Sequence, residues 1–103
     1  MSYERAMLAG LIPVGFQKMS LTNSTATAVN STIQTARVLR ISVETAAARY
    51  RMDGTSPTTE TGVRLAPDIL YTFYGYNGTS ALEFVKASGS CTVSIEGYKA
   101  VGD

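Results

Sequence analysis

No histidine and no tryptophan occur among the 103 residues, and there is a single cysteine. Without histidine there is no Ser-His-Asp or Cys-His nucleophile system, and the commonest zinc ligand is missing. One cysteine, Cys91, makes neither a disulfide framework nor a thiolate metal cage. Within a strand-like segment it reads as a small buried hydrophobe; an intermolecular bridge is the alternative. Charge is scarce at 17%, and the net charge is +1. That leaves no basic footprint for nucleic acid or an anionic membrane. No run approaches the ~18 apolar residues that a membrane-spanning helix needs. Met7 to Phe16 is an apolar run behind Arg5, but Pro13 interrupts it and no small-residue cleavage site follows, so it does not read as a signal peptide. No phosphate loop is present, because the segment from Gly75 to Gly78 has neither the spacing nor the lysine. Met52-Asp53-Gly54 lacks the acidic spacing of a calcium loop. No cofactor, metal or catalytic set is expected, and the chain reads as a non-enzyme. Glu83 and Glu96 are the one carboxylate pair to weigh, against a reading as solvated strand residues paired with Lys86 and Arg64.

Serine and threonine are abundant where charges would normally be. Neutral hydroxyls suit strands and packed interfaces better than the surface of a free monomer. Three Asn-X-Thr triplets, at Asn23, Asn30 and Asn77, fit the glycosylation pattern, and such matches arise by chance in a chain this rich in hydroxyls.

Period-2 alternation dominates the chain. Val14 to Thr22 reads as a strand with Phe16, Lys18 and Ser20 on one face and Gln17, Met19 and Leu21 on the other. Asn23 to Thr35 reads as a loop with room for a short strand at 28–33. Arg37 to Thr45 is the clearest strand, and Leu39, Ile41 and Val43 belong in the core. Arg49 to Met52, Gly62 to Leu65, Ile69 to Tyr76, Ala81 to Ala87 and Cys91 to Tyr98 follow, with Asn77-Gly78 a hairpin signal. Six to eight short strands at this spacing predict an all-β fold: a small β-sandwich, jelly-roll or Greek-key like, over residues 14–103. Residues 1–13 read as a short N-terminal helix or arm. Its apolar load, Tyr3, Met7, Leu8, Leu11 and Ile12, either packs on its own domain or lies on a neighbouring subunit.

The stretch from Ala47 to Leu65 organises the rest: strand, structured loop, strand. Asp53-Gly54 turns the chain, Pro57 sets an extended approach, and Gly62 breaks it again. Arg49 and Arg51 share a face and flank Tyr50, with Asp53 just beyond. An Arg51–Asp53 or Arg49–Asp53 pair can brace the turn. Alternatively Arg49, Tyr50 and Arg51 form a contact surface, since both residue types are enriched in interface hot spots. Tyr71, Tyr74 and Tyr76 crowd the next hairpin, as core fillers with hydroxyls at the rim or as a docking patch.

The run Arg49-Tyr50-Arg51-x-Asp53-Gly54-Thr55-x-Pro57-Thr58, followed by Gly62, resembles a segment of small β-rich virion structural proteins of tailed bacteriophages. The later strands at 81–85 and 91–98 extend the resemblance over residues 40–98. It implies a virion location, on the capsid surface or in the head–tail region of a particle made in a bacterial cytoplasm. The resemblance does not say which virion part; a decoration (cement) protein that binds the major capsid protein or other virion proteins is the favoured expectation, as a dimer or trimer because shell symmetry favours these. A neck, tail or fibre-attachment component, or a module binding host-surface glycan or protein, is the alternative.

Overall fold

A computed structural model describes residues 10–74, 76 and 82–100. Tyr3, Met7 and Leu8 lie outside the described residues. The alternating segments become eight strands in two four-stranded sheets. They are β1 (Leu11–Leu21), β2 (Thr27–Ala28), β3 (Val38–Glu44), β4 (Ala48–Arg51), β5 (Val63–Leu65), β6 (Leu70–Tyr74), β7 (Glu83–Lys86) and β8 (Cys91–Ala100), with one short helix, α1 (Ser31–Gln34), between β2 and β3. Sheet A has the order β1-β8-β3-β6 and sheet B the order β2-β7-β4-β5. All the pairings are antiparallel. Apart from the β4–β5 hairpin, each successive strand crosses to the other sheet, which is the winding of a jelly roll.

The core is what the period-2 pattern predicts. Leu39, Ile41 and Val43 of β3, Val93 and Ile95 of β8, and Phe84 of β7 have no exposed surface. Met19 and Leu21 of β1 join them. Tyr50 bridges the sheets, its ring 5.0 Å from that of Phe73 and 6.2 Å from that of Phe84. Cys91 is buried as a free thiol. Burial pushes that thiol's pKa up, which keeps it protonated and unreactive.

The structure differs from the pattern in four places. Leu11 and Ile12 belong to a strand, not to a terminal helix: β1 runs on from Leu11 because β8 extends to Ala100 and offers it a partner. The stretch read as a loop contains α1, whose Asn30 side chain accepts the Ile33 amide at its N-cap. Ile33 is fully buried, and α1 packs on β1 and β8. That approach depends on Gly97, where an added Cβ would lie 2.8 Å from Ala36 Cβ. The link at 46–48, where the alternating segments on either side suggest a bulge, is instead a corner between sheets, turned at Thr45 with φ 83°. Finally, Val85 is fully buried although its pairing with Arg49 sets it on the side of sheet B away from Phe84.

Candidate functional site

Two regions hold the polar chemistry, and they lie on opposite outer sides of the sandwich. The first is the stretch from Ala47 to Leu65. Arg49 points outward from β4 and is spent on the loop: its Nε donates to the Thr59 carbonyl at 3.0 Å and a terminal nitrogen donates to the Gly62 carbonyl at 3.0 Å. Arg51, next on the same face, makes a two-pronged pair with Asp53 at 3.1 and 2.5 Å. Asp53 also accepts the Thr55 amide at 3.2 Å. The Arg51 guanidinium, then the Thr55 amide, hold the Asp53 carboxyl below its ordinary pKa. Thr58 and Thr61 exchange backbone bonds, and the Thr58 hydroxyl caps the amides of Glu60 and Thr61. Ser56 Oγ donates to Glu83 at 2.9 Å, tying the loop to β7. The loop therefore lies across the outer side of sheet B, and Val85 and Pro57 are buried beneath and within it. Of the two arginines it is Arg51 that pairs with Asp53 and braces the turn; Arg49 instead satisfies carbonyls. A cleft of about 540 Å³ opens beside it, lined by Tyr50, Met52, Thr61, Gly62, Val63 and the Arg51–Asp53 pair. The Arg51 and Asp53 charges there neutralise one another.

The second region is the outer face of sheet A. Register sets its rows: Phe16, Glu96, Arg40 and Thr72 side by side, then Lys18, Ser94, Ser42 and Leu70. In the row on the other side, Pro13, Tyr98, Val38 and Tyr74 align. Tyr98 donates to the Glu96 carboxylate and is hydrogen-bonded by Arg40. Burial, and then that bond to Glu96, raise the Tyr98 pKa. Around this cluster run hydroxyls (Ser42, Ser94, Thr92), and at its two margins stand bare apolar groups. Phe16 on β1 is 59% exposed, and Leu70 and Tyr74 on β6 are 50% and 43% exposed. Phe16, Arg40, Ser42, Leu70, Ser94 and Glu96 line a shallow groove of about 300 Å³.

The remaining sequence candidates separate by face. Tyr50 and Tyr76 are core residues, Tyr71 is half-buried with its hydroxyl accepting the Ala66 amide, and Tyr74 is exposed. The tyrosines thus divide between core and surface. Leu11 is half-buried and Ile12 exposed, both on β1. Glu83 and Glu96 occupy the outer sides of different sheets, so they cannot act together on one substrate. Among the described residues no three His, Cys, Asp or Glu side chains gather to hold a metal ion. Missed in the sequence were Phe16 and Leu70 as exposed apolar groups; the signal was there in β1, where Phe16 alternates with Lys18 and Ser20 on a polar face.

No family model matches the chain, and no curated protein matches it. Among solved structures it is similar in fold to the Cupin_2 domain of an XRE-family transcriptional regulator from Enterobacter cloacae. The match has a TM-score of 0.51 and 17% identity, and covers 85% of this chain and 94% of that one. This likeness supports the small all-β sandwich. It also corrects the functional expectation: the structure matched along most of the chain is a domain of a transcriptional regulator, not a virion component. The role as a capsid decoration protein, with its neck, tail and host-surface alternatives, is therefore withdrawn. In the short motif, Arg49, Arg51, Asp53 and Thr58 brace their own loop.

Proposed function

We propose that this chain is a non-enzymatic, self-associating structural module, and that copies of it join through the uncovered side of sheet A. The observation that carries the reading is where the exposed apolar groups lie. Of the seven large apolar side chains exposed among the described residues, Phe16, Leu70 and Tyr74 lie on the outer side of sheet A. Four strands about 4.8 Å apart and about 3.3 Å per residue present roughly 600 Å² before side-chain relief is counted. A standard interface takes about 800 Å² from each partner, so the face is of the right order. Its charges are mixed, with Lys18 and Arg40 against Glu44 and Glu96, so neither sign dominates the face. A net charge near zero adds no general repulsion between copies.

Sedimentation equilibrium over a wide concentration range tests this. The expected result is a reversible shift to twice the mass of one chain at micromolar concentration, lost in the triple variant Phe16→Ser, Leu70→Ser, Tyr74→Ser. A chain that stays monomeric into the millimolar range would overturn the reading.

A further inference from the structure

Register sets the three exposed apolar groups of sheet A at fixed places on its outer side. Phe16 stands on β1, in the row that continues through Glu96 and Arg40 to Thr72. Tyr74 and Leu70 stand on β6, one row to either side of that one. Tyr74 shares the row of Pro13, Tyr98 and Val38, and Leu70 that of Lys18, Ser94 and Ser42. Thr72, between them, is smaller and half-buried. One margin of the face therefore carries a single apolar projection, and the other carries two with a gap between them at the same height. The margins, β1 and β6, are three strand spacings apart, or about 14 Å. In the centre Glu96 on β8 and Arg40 on β3 lie side by side, with Ser94 and Ser42 in the next row.

We infer that two copies pack sheet A on sheet A about a two-fold axis that runs along the strands between β8 and β3, and that Phe16 of each copy sits between Leu70 and Tyr74 of the other; this rests on the self-association reading above and fixes its geometry. Such an axis keeps height along the strands and exchanges left with right. β1 of one copy then lies over β6 of the other, and β8 over β3. Phe16 arrives at the height of Thr72, in the gap between Leu70 and Tyr74, and the same contact forms twice. Glu96 of each copy arrives over Arg40 of the other, so opposite signs meet in both halves of the contact. Sheets packed face to face keep their strands within about 30° of one another. That rotation slides the margins by less than one row, so Phe16 stays within reach of the same two residues. The grooves over Ser42 and Ser94 face one another, and the serine hydroxyls of both copies line a polar channel suited to bridging water. A two-fold axis across the strands at the Phe16 row is the contrasting choice. It sets Phe16 on Phe16, Glu96 on Glu96 and Arg40 on Arg40, and like charges facing each other across an interface cost affinity.

Two variants of the full chain test this by sedimentation equilibrium: Phe16→Lys, and Leu70→Glu with Tyr74→Glu. All three sites are exposed, and a circular dichroism melt verifies that each variant folds. Alone, each variant should dimerise at least about a hundredfold more weakly than the unmodified chain. The first sets a lysine against Leu70 and Tyr74 at both margins, and the second brackets Phe16 with carboxylates. Mixed in equal amounts, they should form a heterodimer within about tenfold of the unmodified affinity. One margin of that heterodimer is unmodified, with Phe16 between Leu70 and Tyr74, and the other sets the new lysine between the two new carboxylates. If the unmodified chain dimerises but the mixture does not, Phe16 does not meet β6 of the other copy; the axis falls and the self-association reading stands. A chain that never dimerises sinks both.

Discussion

The outer sides of the two sheets make opposite use of similar material. Both present alternating residues on short antiparallel strands. On sheet B the chain itself supplies the cover: residues 53–62 lie across it, and Val85 is as buried as any residue between the sheets. On sheet A nothing in the described chain covers Phe16, Leu70 or Tyr74. The difference comes from where arginine is spent. Arg49 has Arg64 opposite it in register, a like-charge pair that would be unfavourable if both lay flat on the strands. Turning its planar fork to the Thr59 and Gly62 carbonyls satisfies five-donor chemistry that a lysine could not match. Sheet A spends its Arg40 within the face, beside Tyr98 and Glu96, and gains no lid from it.

Breaking the lid should have the largest effect. Arg49→Ala leaves two loop carbonyls without their charged donor and should cost about 2–3 kcal/mol, which lowers the melting temperature by about 10 °C or more. Arg49→Lys should recover little of it. A thermal melt, with proteolysis at residues 53–62 as a local readout, checks both. Gly62→Ala should cost about 1–3 kcal/mol, since Gly62 sits at φ 139° and an added Cβ would lie 3.0 Å from the Tyr50 carbonyl oxygen. The same measurement on the open side should give the contrast: Phe16→Ser should change monomer stability by no more than about 0.5 kcal/mol.

The smallest effect sharpens the picture of the turn. Arg51 lowers the Asp53 pKa in the folded chain, so the pair's contribution is present above the ordinary aspartate value of about 3.9. It is lost as the pH falls through the folded value, because the unfolded carboxyl then binds protons first. Arg51→Ala should move the Asp53 titration, followed by carbon-13 shifts, up toward that ordinary value. It should change stability at neutral pH little, because the pair is exposed and screened.

The strands and most of the core were legible because an antiparallel strand with one covered face writes its burial into the sequence at period 2. Leu39, Ile41 and Val43, and Cys91, Val93 and Ile95, show it cleanly. Val85 breaks the alternation because its cover is a loop, and a loop's path leaves no period in the strand beneath it. Tyr76 could not be told from Tyr74 by sequence, since both carry an apolar ring and a polar tip; one enters the core and the other the surface. The virion expectation rested on the motif at 49–58 together with Gly62 and the later strands, and in the structure Arg49, Arg51, Asp53 and Thr58 of that motif hold their own loop. The extent of β1 depended on the length of β8, a partner some eighty residues away.

By itself, the amino-acid sequence determined the all-β class, the faces of most strands and the absence of histidine chemistry, because those follow from residue type and nearest-neighbour geometry. It also determined that residues 53–62 would be a structured turn, through Asp53, Gly54, Pro57 and Gly62. Only the tertiary structure decided which strands lie at the edges of the described sheets, β1 and β6 in one and β2 and β5 in the other. Strand order is a matter of long-range pairing, and backbone hydrogen bonds carry no record of it in the side chains. The same long-range pairing brought Phe16 and Leu70, 54 positions apart in the chain, onto one face of one sheet.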